Sequence, residues 1–326
     1  MNILREIRFR LGTARRAHEL HYELDKLRAE ARQARSKTQP SVKATNLIWI
    51  FGAPRSGTSW LARMLGGMPS SAVWQEPDVG RLFGTFWQQW HRKADREGFI
   101  LADEHRSSYL KGLRTLVLDG ARQRYVDEET GKAPSNIVIK EPNGSIGAPF
   151  LSAAFPLSRV ILLIRDPRDT LSSMLEASKE GNWLYERYVH AEDDWRKARE
   201  ADLNPEAHLR RRATEYVDIM SGAVKAFEDH PGPKISVRYE EMLVDPHTTL
   251  TDITNTLNIR TNQNRVNKAV ERFSYQNVPS KAKGYGKAIR KAEAGGWRED
   301  LTEAQVAEIE RITADFMDKF GYERAT

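Results

Sequence analysis

The segment Gly52-Ala53-Pro54-Arg55-Ser56-Gly57-Thr58-Ser59-Trp60 holds the densest chemical signal in the chain. It follows the apolar run Asn46–Gly52 and precedes a helical pattern, so a strand feeds a loop of small residues that opens a helix. Successive backbone N–H groups in such a turn point at one spot, and the helix dipole favours negative charge there. The hydroxyls of Ser56, Thr58 and Ser59 add donors, and Arg55 adds a planar cationic fork. These groups suit a phosphate or sulfate. A second apolar run, Val160–Ile164, ends in Arg165 rather than an aspartate, so the neighbourhood gathers cations and offers no carboxylate for magnesium. An anion site without a metal is expected.

Regular elements must hold this loop in place. Asn46–Gly52, Asn136–Lys140, Arg159–Arg165 and Lys234–Arg238 read as strands, with Ala72–Trp74 a short fifth. Apolar runs with polar ends suit parallel strands covered on both faces. Helical patterns fall at 58–68, 103–124, 145–155, 168–178, 206–229 and 247–257. A last helix starts at the capping box Thr302–Gln305 and runs through Val306, Ile309, Ile312, Phe316 and Phe320. The alternation predicts an α/β domain around a central parallel sheet of four or five strands, spanning residues 46–326. Residues 2–36 carry apolar side chains every three or four positions, which predicts one long helix. Ser36–Ala44, with Pro40, reads as a linker, so residues 1–40 form a separate helical extension.

Charge and composition narrow the function classes. The chain has 326 residues and a net charge of +6, and residues 1–40 hold ten Lys/Arg against five acids. The remainder is nearly neutral, so the basic balance belongs to the N-terminal segment and gives no case for a nucleic-acid partner. Cysteine is absent, which excludes disulfides, thiolate catalysis, zinc–thiolate sites and iron–sulfur clusters. No apolar run approaches a membrane span and the first residues lack a secretory pattern, so a cytoplasmic location is expected. For residues 1–36 two readings stand. One is a solvated helix packed on its own domain or on a twin. The other is a membrane-surface or partner-binding helix using Ile3, Leu4, Ile7, Phe9 and Leu11 among arginines.

The loop resembles the Walker A pattern, with glycines at 52 and 57, but Thr58 stands where that pattern has lysine. It is more similar to the sulfotransferases that use 3′-phosphoadenosine 5′-phosphosulfate, a resemblance that covers most of residues 46–300. That family has a P-loop-like three-layer fold. Its first signature, a loop holding the 5′-phosphosulfate, matches Pro54-Arg55-Ser56-Gly57-Thr58-Ser59-Trp60, and Trp60 is implied to lie against adenine. Its second, an arginine with a serine eight residues on, matches Arg165 and Ser173 and implies a 3′-phosphate site. The two can converge only if the helix folds back over the strand end. Its third matches Arg290-Lys291-Ala292-Glu293-Ala294-Gly295-Gly296-Trp297. Ala292 replaces a glycine and Gly296 an aspartate, and alanine resists conformations that glycine allows. The basic stretch 281–289 before it reads as a lid over a polyanion or as a solvated loop. Tyr239-Glu240-Glu241-Met242 resembles a segment whose tyrosine lies near the adenine.

The resemblance also implies a catalytic set. In the cytosolic members a histidine base follows a strand-end lysine by two residues; here Lys140 matches the lysine and Pro142 occupies the histidine position. The carbohydrate, tyrosylprotein and bacterial branches take a glutamate after the first helix, which Glu76 matches. Glu76 is then the base and Lys140 stabilises the transferring group, with Arg55 in the loop; Glu141 and Asp78 are the runner-up bases. The implied reaction is metal-independent sulfuryl transfer to a hydroxyl acceptor, a carbohydrate or amphipathic metabolite. Residues 78–130, with Phe83, Phe86, Trp87, Trp90, Phe99 and Tyr109 beside Arg81, Arg92 and Arg96, are expected to shape the acceptor cleft or to be helix core. The alternatives are a nucleotide-dependent phosphoryl transferase on a related fold and a non-catalytic polyanion- or membrane-binding protein.

Overall fold

The computed structural model describes residues 42–90, 99–127, 130–189 and 203–325, with Glu23 alone before them. The helix expected over 2–36 lies outside the described residues apart from Glu23, and so do Arg92 and Arg96. Residues 42–125 and 134–325 form one compact unit, and 126–133 are described separately. Within 126–133, Asp127 closes a turn by accepting the Thr130 amide at 2.7 Å and its hydroxyl at 2.8 Å.

The larger unit alternates strands and helices as expected. In chain order it runs β1 (Leu47–Gly52), α1 (Thr58–Gly66), β2 (Ser71–Gln75), α2 (Val79–Trp90), α3 (Arg106–Tyr125) and β3 (Asn136–Lys140). A 3₁₀ turn, Asn143–Gly147, leads into α4 (Ala148–Ala154), β4 (Arg159–Ile164), α5 (Pro167–Ala177), α6 (Trp183–Val189), α7 (Pro205–Asp229) and β5 (Lys234–Arg238). Then follow α8 (Tyr239–Val244), α9 (Pro246–Thr256), α10 (Gln263–Arg272), α11 (Trp297–Asp300), α12 (Glu303–Ile312) and α13 (Ala314–Phe320). The last two were expected as one helix. The capping box at Thr302 and Gln305 forms, but Thr313 turns its hydroxyl back to the Ile309 carbonyl at 2.8 Å and ends α12.

The strands make a five-stranded sheet in the order β2-β3-β1-β4-β5, and every pairing is parallel. Leu47 through Phe51 at its centre are fully buried. On one face Ile48, Ile50, Val138 and Ile161 pack with Leu61 and Leu65 of α1, Leu250 and Ile253 of α9 and Val266 of α10. Helices α4 and α7 pack on each other away from that cluster, and α7 also meets β1 and β4. The register aligns the carboxyl ends: Gln75 pairs with Lys140, Ile50 with Lys140, Gly52 with Leu163 and Ile164 with Arg238. Open parallel sheets present their ligand sites at this edge.

Helix α2 sits unusually close to the turn 143–147. A Cβ on Gly80 would lie 2.1 Å from the Gly144 carbonyl oxygen, and one on Gly84 would lie 2.4 Å from the Gly147 amide nitrogen. Glycine at both positions lets backbone meet backbone. Gly80→Ala is expected to push α2 off the turn and to destabilise the protein by about 1–3 kcal/mol, the usual cost of overpacking. Urea unfolding of the two proteins measures this; an unchanged midpoint would mean that α2 is free to shift.

Candidate active site

Each strand end delivers one residue to a cavity of about 1450 Å³ lined by Arg55, Glu76, Lys140, Arg165 and Tyr239. The loop after β1 is tightly constrained. Gly57 has φ +95° and a Cβ there would strike the Tyr239 ring at 2.5 Å, so only glycine fits. The first amides bonded inside α1 are those of Trp60 and Leu61, both to the Gly57 carbonyl. The amides of Gly57, Thr58 and Ser59 thus precede the helix's own ladder, where an anion is favoured. Ser56 departs from the expectation of a third hydroxyl donor. It is buried and donates its hydroxyl to the Ala53 carbonyl at 2.6 Å, because the tight turn folds its side chain inward. Ser59 instead faces the cavity and accepts a bond from Lys140 Nζ at 2.9 Å. Trp60 packs edge-on against Tyr239, ring centroids 6.3 Å apart.

Arginines dominate one wall. Arg55, itself at φ +70°, donates through Nε to Ser173 Oγ at 3.0 Å and through Nη1 to the Ala288 carbonyl at 2.6 Å. Arg165 donates to the Arg55 carbonyl at 2.8 Å and to the Glu293 carbonyl at 2.9 Å, and its guanidinium lies 4.2 Å from the Tyr239 ring centroid. Helix α5 does fold back over the strand end, so Arg165 and Ser173 meet on Arg55. Arg290 is buried, reaches Ser172 Oγ at 3.3 Å and pairs with Asp300 at 3.0 Å. Lys291 pairs with Glu293, Glu299 and Asp300 at 3.2 to 3.4 Å. Burial, with repulsion from Arg165 and Arg290, brings the Arg55 guanidinium down to about 10. Ala292 takes φ +53°, so the alanine adopts a left-handed conformation that glycine adopts at less cost.

On the far side of the loop, Lys140 Nζ lies 2.5 Å from Glu76 Oε1, and the Glu76 amide extends the ladder to the Lys140 carbonyl at 2.9 Å. The lysine side chain is 6% exposed and the glutamate side chain 27%, so the carboxylate is the open end of the pair. Glu141, next in sequence, points elsewhere. It is fully buried and absent from the cavity lining, and its Oε1 accepts the Val79 amide at 3.0 Å at the start of α2. It caps the start of α2, so the runner-up base the sequence offered is turned away from the cavity. Asp78 does line the cavity.

The aromatic residues of 78–130 were expected either to shape the acceptor cleft or to be core. Phe83, Trp87 and Tyr109 gather around Phe150 of α4 at 5.8 to 6.4 Å, and Phe86 stacks on Phe99 at 5.8 Å. The face of α2 that lines the cavity carries Arg81, Thr85, Gln88 and Gln89 instead, since helical periodicity puts these on one side. That wall is polar. Trp183 gave no signal in the sequence, yet it lines the cavity with Arg55 5.5 Å above its ring, and its buried indole N–H has no partner among the described residues.

The Sulfotransferase family profile matches residues 48–263, and the chain belongs to that family. It is 25% identical over 242 residues to protein-tyrosine sulfotransferase 1 of Danio rerio, covering 72% of this chain and 60% of the relative. It is 30% identical over 143 residues to the human protein-tyrosine sulfotransferase 1, covering 43% of this chain and 36% of the relative. The matches thus span less than two thirds of these relatives' own length. In structure it is similar to mouse sulfotransferase SULT7A1, solved in complex with PAP, with a TM-score of 0.50 and 17% identity over 85% of this chain and 86% of that one. This likeness supports the fold.

Glu141 gives a pH test. Burial, reinforced by the charges of Asp78 and Glu76, pushes its carboxyl up to about 8 from an ordinary 4.5, against the pull of the Val79 and Gly80 amides. The unfolded chain loses this proton above about pH 4.5 and the folded protein only above about 8, so stability falls as pH rises through that window. Glu141→Gln is expected to flatten the decline in melting temperature between pH 5.5 and 8.5. A decline as steep as in the wild type would assign it to other groups.

Proposed function

We propose that this chain transfers a sulfuryl group from 3′-phosphoadenosine 5′-phosphosulfate to a hydroxyl of a polar acceptor. The observation that carries this is the convergence of Arg55, Arg165 and Arg290 on the wall of a cavity whose other end holds the Glu76–Lys140 pair. Three clustered guanidinium groups repel one another and call for a polyanion with more than one anionic group. Family membership and the bisphosphate in the neighbouring structure favour a 3′,5′-bisphosphate nucleotide.

In this scheme the loop amides 57–59 and Arg55 hold the 5′-phosphosulfate, and Arg165, Ser173, Arg290 and Lys291 hold the 3′-phosphate. The acceptor oxygen attacks sulfur in line. Its bond to sulfur forms as the bond from sulfur to the bridging phosphate oxygen breaks, and adenosine 3′,5′-bisphosphate leaves. Glu76 takes the acceptor proton, and Lys140 offsets charge on the sulfuryl oxygens and the leaving oxygen. Lys140 already bridges Ser59 of the loop and Glu76, so the pair spans the gap that the sulfuryl group would cross. The polar face of α2 favours a hydrophilic acceptor over an amphipathic one. The relatives' names make a tyrosyl hydroxyl on a peptide the first acceptor to try.

Glu76→Gln retains size but cannot take a proton, so single-turnover transfer at saturating donor should slow by about 10²–10⁴ with donor affinity near wild type. Equal rates for the two proteins would remove Glu76 as the base. Lys140→Ala should likewise lower turnover while sparing affinity for adenosine 3′,5′-bisphosphate; a matching loss of that affinity would place the lysine on the nucleotide instead. Arg165→Ala should weaken the bisphosphate far more than adenosine 5′-phosphate, by about 1.5–3 kcal/mol for a charge-assisted contact. Calorimetric titration separates the two ligands, and equal weakening would deny Arg165 the 3′-phosphate.

A further inference from the structure

We propose that Asp169 is a positioning residue for the donor's 3′-phosphate, acting by anchoring the turn Gly295–Trp297 and with it the Arg290–Lys291 pair. This rests on the donor reading above. Helix α5 presents a polar stripe at positions 169, 172, 173 and 176, one face of a helix. Each member grips a different point of the surrounding chain. Asp169 accepts the Gly295 amide on Oδ2 at 2.7 Å and the Trp297 amide on Oδ1 at 3.0 Å. Ser172 accepts from Arg290 at 3.3 Å, Ser173 from Arg55 at 3.0 Å, and Glu176 from the Gly286 amide at 2.5 Å. The stripe thus clamps the segment 286–297 at both ends and in the middle. The stretch 281–289, read as a lid or a solvated loop, is pinned at Gly286, and the turn that follows Arg290 and Lys291 hangs on Asp169.

Asp169 is suited to this role by burial and by charge. It is 1% exposed, and its two oxygens each hold one backbone N–H of the same turn. Trp297 is buried there beneath Arg168, whose guanidinium lies 4.1 Å from the ring centroid. A competing role is available: Asp169 Oδ2 is 3.9 Å from Arg165, near enough to act only as a counter-charge. The two roles predict opposite signs. Asn at 169 keeps one acceptor but turns an N–H₂ toward an amide, so the turn should loosen and 3′-phosphate affinity should fall. If Asp169 were only a counter-charge, removing it would leave Arg165 more positive and the 3′-phosphate bound more tightly.

The test is calorimetric titration of wild type, Asp169→Asn and Ser172→Ala with adenosine 3′,5′-bisphosphate and with adenosine 5′-phosphate. Asp169→Asn is expected to lose about tenfold or more in bisphosphate affinity while binding the 5′-phosphate as wild type does, which also shows that the loop after β1 is folded. Unchanged or tighter bisphosphate binding overturns the proposal and leaves the donor reading intact. A wild-type protein that binds neither ligand overturns both. Should Asp169→Asn fail to fold, Ser172→Ala decides: a selective loss for the bisphosphate supports the clamp, and no selective loss overturns it.

Discussion

The mutual repulsion of Arg55, Arg165 and Arg290 is the constraint to which the rest of the site answers. Like charges held close in a partly dry wall oppose folding. The chain offsets this with fixed dipoles and acids from distant segments: the carbonyls of Arg55, Ala288 and Glu293, and the carboxylates of Asp169 and Asp300. None of these acceptors lies within four residues of Arg165 in sequence except Asp169. The strand register brings the first elements together, and the α5 stripe brings in the last. Local rules are broken at the cavity wall, as at Arg55 and Glu76, both held at positive φ.

Glu76 and Glu141 show how surroundings sort two identical side chains. Both flank Lys140 in space, yet one is paired with an ammonium and open to the cavity while the other is sealed under α2. One carboxyl therefore faces the cavity, and the other caps a helix.

The loop after β1, the sheet and most helix spans were legible because their determinants are local: apolar runs, capping residues, glycines at fixed offsets. The Arg165–Ser173 pair was read from an eight-residue spacing that matches the family signature, about two helical turns of chain. Helix α2 was not read as a helix. Its Gly80 and Gly84 lower helix propensity, and only the close approach to residues 143–147 explains them. Its aromatics were left between acceptor cleft and helix core, and the helix turns Phe83 and Trp87 toward Phe150. Trp183 and the Asp169 anchor depend on partners 103 to 128 residues away, where sequence spacing carries no information.

The Arg55–Ala288 bond joins positions 233 residues apart, and the Arg165–Glu293 bond joins positions 128 apart. Contacts of such separation close late, because loop entropy must be overcome before they form. The anion site is therefore assembled only when the chain from the first strand to the last loop is in place. A nucleotide that bridges both sides binds the native state and nothing that precedes it. It acts as a molecular clasp: free energy of binding becomes free energy of folding, growing with the logarithm of ligand concentration above the dissociation constant. Cellular supply of the ligand would then set how long the folded enzyme survives proteolysis, as well as how fast it works.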